Sequence, residues 1–237
     1  MSIQKKIVLK IGGSILYKDG LNINFELLKK LKDWYGDAKK DYSKIVILVG
    51  GGELSRQLQA YMGSKIRDER GRHEVAMSVT QTNAKIVKAY LQDDKNIATP
   101  TSIGDAYEIL LNDKIKCVVS GGLKIGWSTD MDAAIFADII DTDRVIKISD
   151  ISYLYDKDPK KFDKVHIIKD ITWKNYFKMF HIKNDDTHEA NSHIPIDKIC
   201  ARFANNKGVQ FFICGGDNIE KKKTLQHIIT DGTLLHP

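Results

Sequence analysis

The chain has 237 residues, of which 42% are hydrophobic and 29% charged, with a formal net charge of +6. These figures exclude a collagen, a coiled coil or a disordered tail, and the length allows a core that needs no disulfide or metal staple. The moderately basic balance favours anionic partners without choosing among nucleic acids, membrane surfaces and nucleotides.

In chain order, residues 7–11 (Ile-Val-Leu-Lys-Ile) read as a strand that runs into Gly12-Gly13-Ser14. It is too short for a signal peptide or membrane span, so the expectation is a soluble cytoplasmic protein. Residues 25–35 place Leu27, Leu28, Leu31, Trp34 and Tyr35 at helical spacing. Residues 45–49 are a continuous apolar strand of the kind buried on both faces of a parallel sheet, followed by Gly50-Gly51-Gly52 and a helix from about Glu53. A helix is expected over 75–91, with Val79, Ile86, Val87, Tyr90 and Leu91 toward the core. A strand over 115–119 leads to Gly121-Gly122. Residues 130–140 form a helix whose apolar side is Ala133, Ala134, Phe136, Ala137 and Ile140, and 145–148 the next strand. A helix over 196–204, a strand over 209–213 ending at Gly215-Gly216, and a helix over 218–226 complete the pattern. Alternating strands and helices imply an α/β fold, a three-layer αβα sandwich around a mostly parallel open sheet. With four prolines no linker stands out. The one seam, at 141–143, suggests a single domain with lobes 1–141 and 142–237. Cys117, Cys200 and Cys214 lie in apolar surroundings without CxxC spacing, as buried reduced thiols do.

Glycine pairs or triplets follow four of the strands. Ligands of open α/β sheets bind outside the carboxyl ends of the strands, where glycines let backbone N–H groups approach phosphate oxygens. The familiar phosphate motifs are absent. The run from Gly121 to Ser128 has Walker-like glycines, but Trp127 stands where that motif needs lysine, and no G-x-G-x-x-G follows the first strand. Two lysines interrupt core strands beside glycine turns, Lys10 and Lys147. Lysine is rarely fully buried, so each needs an anionic partner or an exposed strand end. Together they suit a pair of cations that clamp a phosphoryl group.

Lys-Ile-Gly-Gly-Ser (10–14), Gly50-Gly51-Gly52 with Arg56, and Gly-Trp-Ser-Thr-Asp (126–130) before Ala133-Ala134 resemble the amino-acid-kinase superfamily. The stretch from Lys147 to Pro159, with Tyr-Asp-Lys-Asp-Pro at its end, resembles the nucleotide segment of the uridylate (UMP) kinases of bacteria and archaea. The resemblance implies transfer of the ATP γ-phosphoryl to UMP, Mg²⁺, and a homo-oligomer, often a hexamer. It implies ATP contacts at Gly12, Gly13, Ser14, Gly52, Arg56, Ser149, Tyr155 and Asp158. For UMP it implies Gly51 and the loop Gly122, Leu123, Lys124, Ile125, Gly126, Trp127, Ser128 and Thr129. Lys10, Lys147, Asp130 and Asp197 fall at the reaction centre, with Asp130 also suited to be the N-cap of the helix that follows.

One position departs from the pattern. His73 stands where the family has an aspartate on the UMP ribose, with Glu74 one residue on as a stand-in and Arg67, Arg70 and Arg72 nearby. Gln81 also replaces an arginine common in archaeal relatives. A different acceptor within the superfamily, a carboxylate or an isoprenoid phosphate, therefore stays open, as does a non-catalytic nucleotide-binding or storage module. The polar stretch with His181, Asp185, Asp186, His188, Glu189 and His193 reads as a solvated or substrate-covering loop, because its spacings match no metal site. Lys221-Lys222-Lys223 reads as a solvated helix face without the interleaved aromatics of a nucleic-acid surface.

Overall fold

The structure is a computed structural model and describes residues 5–63, 65–93, 95–157, 162, 164–183, 194–215 and 224–237. Strand β1 (Lys5–Ile11) leads into the single turn α1 (Gly13–Leu16) and the hairpin β2 (Tyr17–Asp19) and β3 (Asn22–Ile23). Helix α2 (Phe25–Asp41), strand β4 (Tyr42–Val49), and helices α3 (Gly52–Gly63) and α4 (Glu69–Leu91) follow. Next come β5 (Ile97–Ala98), α5 (Ile103–Leu111), β6 (Cys117–Ser120), α6 (Thr129–Ile139) and β7 (Arg144–Ser149). The chain continues through β8 (Leu154–Tyr155), β9 (Ile167–Ile168), β10 (Asp170–Thr172), α7 (Trp173–Met179) and α8 (Lys198–Lys207). It closes with β11 (Gln210–Gly215), α9 (Leu225–Ile228) and β12 (Gly232–His236).

Among the described residues the main sheet has eight strands in the order β10-β12-β11-β7-β1-β4-β6-β5. All its pairings are parallel except β11 with β12. Strand β1 sits at the centre, with the chain building outward first through β4 and later through β7. Its carboxyl end is therefore the switch point where an open α/β sheet binds ligands.

The alternation of each strand divides the core. Ile7, Leu9 and Ile11 of β1, with Ile45, Ile47 and Val49 of β4, pack against α2 and α4. Val8, Val46, Leu48 and Val145 pack on the opposite face against α5, α6 and α8. Lys10 and Lys147 share the second face by the same alternation, and they are register partners across β1 and β7. All three cysteines are buried, and none is in a disulfide among the described residues.

The structure adjusts several expected boundaries. Helix α4 begins at Glu69 rather than 75, because its first two turns are polar all round and carry no apolar period. The helix over 198–207 starts after Asp197, its N-cap. The helix expected over 218–226 lies mostly outside the described residues, and the described turn there is α9. Also outside them are Asp158, Asp185, Asp186, His188, Glu189, His193, Gly216 and Lys221-Lys222-Lys223. Helices α5 and α7 were not expected. Each buries only two side chains, Ala106 and Leu110 in one and Trp173 and Tyr176 in the other. Among the described residues no helix is long and apolar enough to cross a membrane.

Candidate active site

At the carboxyl ends of the central strands the backbone is zipped into turns. The Gly12 N–H donates to Ile148 O at 2.8 Å, and the Gly50 N–H donates to Ile11 O at 2.9 Å. The turns after β1 and β4 then touch. A Cβ on Gly13 would lie 2.2 Å from Gly52 N, and Gly52 itself has φ +68°, so neither position tolerates a side chain. Helix α4 holds these loops with two residues one turn apart. Thr80 Oγ1 accepts from Gly122 N–H at 2.7 Å, and the buried Asn83 amide donates to Gly50 O at 2.8 Å. Tyr17 in turn donates to Asn83 Oδ1 at 2.5 Å.

Asp130, in the first turn of α6, clasps both strand lysines. Its Oδ1 lies 3.2 Å from Lys10 Nζ and its Oδ2 2.6 Å from Lys147 Nζ. Burial pulls the Lys10 ammonium down from its ordinary value, and the Asp130 carboxylate opposes that pull. Lys147 also donates to the carbonyl of Pro195. Asp197 caps α8, its Oδ1 accepting from Ile199 N–H and Cys200 N–H at 3.0 Å each. Its other oxygen accepts from the hydroxyl of Ser128, which itself caps α6 by accepting from Met131 N–H at 3.1 Å. Two helix N-termini, each with its positive dipole end, are thereby joined beside the lysine pair.

These groups open on one cavity of about 960 Å³. Its wall includes Lys10, Lys147, Asp130 and Asp197; Gly12, Gly13, Ser14, Gly52, Arg56, Ser149 and Tyr155; and Gly51, His73, Gly122, Lys124, Ile125, Gly126, Trp127, Ser128 and Thr129. Leu123 departs from expectation: it is 9% exposed, turned into the core on the α6 side, and forms no part of the wall. Glu74 is no stand-in for an acceptor-site carboxylate either. It is exposed, pairs with Arg70 at 3.3 Å, and lies off the wall, whereas His73 lines it with Nε2 3.6 Å from Glu69. The Lys124 ammonium sits 3.9 Å above the Trp127 ring, a cation–π contact within the acceptor-side loop.

Sequence reasoning missed other parts of the wall, notably Met77, Met179, Phe180 and Pro195. None belongs to a glycine turn or carries a charge, so no local signal marks it. It also missed Asp132, which is fully buried beside Gly122, with no hydrogen-bond partner among the described residues for either carboxyl oxygen. Burial pushes that carboxyl up to about 7, with the nearby Leu123 amide opposing. Among the described residues no group of three or more His, Cys, Asp or Glu side chains is placed to hold a metal.

An open α/β sheet with glycine turns and a clasped lysine pair at its switch point is the arrangement of an α/β protein that binds phosphate groups. The model of the amino acid kinase family matches residues 5–215, and the chain belongs to that family. The uridylate kinase of Methanococcus aeolicus is 29% identical over 233 residues, covering 98% of this chain and 100% of the relative. That of Methanobrevibacter smithii is 29% identical over 219 residues, covering 91% and 92%. Among solved structures, uridylate kinase from Archaeoglobus fulgidus matches with a TM-score of 0.74 at 20% identity, over 98% of this chain and 100% of that one. At that identity the likeness speaks for the fold.

Proposed function

We propose that the protein is a nucleoside monophosphate kinase that transfers the γ-phosphoryl of ATP to UMP, giving UDP and ADP, a step of pyrimidine nucleotide synthesis. The observation that carries this reading is the Lys10–Asp130–Lys147 clasp at the switch point, inside a cavity large enough for two ligands. A UMP phosphate oxygen attacks the γ-phosphorus, and the bond from that phosphorus to the β,γ-bridging oxygen breaks. The acceptor phosphate is already an anionic nucleophile, so no general base is required. The transition state needs in-line placement and cations against the charge on its equatorial oxygens. Lys10 and Lys147 supply those cations, and Asp130 between them keeps both ammonium groups aimed at the cavity.

The donor side is built by Gly12, Gly13, Ser14, Gly52, Arg56, Ser149 and Tyr155, with Asp158 assigned there from the sequence pattern. The acceptor side is built by Gly51, His73 and the loop 122–129 without Leu123. Residues 1–141 hold the whole acceptor side and share the ATP side with residues 142–237, the lobe that adds Ser149, Tyr155 and Asp158. The described wall suits Mg²⁺ carried on ATP oxygens and water, since it offers scattered carboxylates and no cage. Magnesium would neutralise charge between the β- and γ-phosphates. Family resemblance supports a homo-oligomer, with a hexamer the form we expect, acting in the cytoplasm.

A second acceptor class is favoured by one observation. The described carboxylates of the wall are Asp130, Asp150, Asp156 and Asp197, and none comes from α3, α4 or the 122–128 loop. A ribose diol would meet His73 there instead. The test is transfer from γ-labelled ATP to a panel of UMP, CMP, dTMP, N-acetylglutamate and isopentenyl phosphate. Labelled UDP as the fastest product supports the proposal, and a clearly faster non-nucleotide acceptor overturns UMP as substrate.

A further inference from the structure

The reaction centre is closed on one side by residues 195–197. Pro195 accepts from Lys147, Asp197 caps α8 and accepts from Ser128, and Ile196 between them is fully buried. Lys147 serves the Pro195 carbonyl, and Ala201 N–H of α8 serves the Asp197 carbonyl. Ile196 pairs with no strand among the described residues, so its own N–H and C=O must be satisfied by something else. For Ile196 a single side chain does it. The Tyr176 hydroxyl donates to Ile196 O at 2.9 Å and accepts from Ile196 N–H at 2.8 Å. Tyr176 is itself fully buried on α7, its ring 5.7 Å from Trp173 in an edge contact and 4.6 Å from Phe180. Burial raises the phenol well above its ordinary value, which keeps the proton that the donated bond requires.

We propose that Tyr176 is a positioning residue for phosphoryl transfer: its hydroxyl, rather than its ring, sets the strap that aims Lys147 and fixes the Asp197–Ser128 link. This rests on the phosphotransferase reading above. A phenol can satisfy both an N–H and a C=O of one residue because its oxygen donates once and still has lone pairs to accept. Phenylalanine keeps the ring contacts and leaves both Ile196 groups buried without partners. The strap then loses its fixed height over Lys147, the lysine loses a fixed carbonyl partner, and a small misplacement at a reacting centre costs rate rather than binding.

The experiment compares wild type with Tyr176→Phe by steady-state kinetics and by competitive acetylation of lysines read by mass spectrometry. Lys44 serves as an internal control, since it is equally buried and bonded to other carbonyls. The expected result is a fall in kcat of about tenfold, with KM for ATP and UMP within twofold. Labelling of Lys147 should rise at least threefold relative to Lys44. Placing 4-aminophenylalanine at position 176, whose amine can again donate and accept, should restore kcat to within threefold, and it replaces Tyr176→Phe if that variant does not fold. A kcat within twofold of wild type in folded Tyr176→Phe overturns the proposal, as does a fall in kcat without a change at Lys147. If wild type phosphorylates no acceptor but Lys147 labelling still rises, the activity reading fails while the positioning of Lys147 stands.

Discussion

Two ends of the same sheet hold buried lysines, and they are built differently. At the amino end of β4, Lys44 is 5% exposed and donates to Asn112 O at 2.8 Å and Ile115 O at 2.5 Å. At the carboxyl ends of β1 and β7, Lys10 and Lys147 are each 7% exposed and share one carboxylate while facing a large cavity. Burial lowers both Lys44 and Lys10 from the ordinary lysine value. A lysine in a core strand is therefore not in itself a mark of function. Lys44 ties down the loop before β6 and spends its donors on main-chain carbonyls. Lys10 and Lys147 meet a single anion between them, an arrangement that an incoming phosphate can join.

The strongest way to break this contrast is at the shared anion. Asp130→Asn leaves two buried ammonium groups opposite each other, and removing one partner of a buried ion cluster costs about 3–5 kcal/mol. Urea unfolding should register that loss, and activity should fall with it. An unchanged unfolding midpoint would mean that the clasp contributes nothing. A second contrast lies within α6, where Asp130 is paired and Asp132, among the described residues, is not. With its folded value raised to about 7, Asp132 supports stability fully below the unfolded carboxylate range and loses that support as pH rises to about 7. The expected slope is on the order of 1.4 kcal/mol per pH unit across that window. Asp132→Asn should flatten it, so the melting temperatures of variant and wild type should converge below about pH 4 and separate at pH 8, with the variant the more stable. Parallel pH profiles would contradict the buried, unpaired carboxyl. Lys44→Met should cost about 1–2 kcal/mol through its two stranded carbonyls, measured by the same unfolding, while kcat stays within twofold. A large loss of kcat in folded Lys44→Met would erase the distinction between the two ends. The smallest effect is expected at His73, which offers one imidazole bond where a carboxylate offers paired acceptors. His73→Asp should lower KM for UMP by about 1–2 kcal/mol equivalent and leave kcat nearly unchanged. A raised KM would favour another acceptor.

The parts of the fold legible in the sequence are those where one residue type repeats with a clear period. The five apolar residues of 45–49 and the alanine face of 133–137 declare a buried strand and a packed helix without help. Lys10 and Lys147 stand out because they break such runs beside glycine turns, and strand alternation then puts them on one face. Their partner is less visible. Asp130 reads equally well as an ordinary helix-start residue, and only the packing of α6 over β1 and β7 brings its carboxylate to both amines. Leu123 turns into the core although its loop borders the cavity, because loop position says nothing about the side a residue turns to. Tyr176 and Asp132 were unreadable for a related reason. Each gains its meaning from a distant segment, Ile196 in one case and the Gly122 turn in the other, and no local pattern encodes that meeting. Lys44 escapes the same reading because it precedes its apolar run, at the amino end of β4, instead of interrupting it beside a glycine turn.

The central claim is that the lysine pair stabilises the transferring phosphoryl group rather than merely holding ATP. It is tested most directly by rapid-quench single turnovers with enzyme in excess over γ-labelled ATP and saturating UMP, comparing wild type with folded Lys147→Ala. The account predicts that the rate of UDP formation falls at least a hundredfold, about 3 kcal/mol of transition-state stabilisation, while the equilibrium affinity for ATP changes less than threefold. A chemical step near the wild-type rate, or a loss carried wholly by ATP affinity, would contradict it.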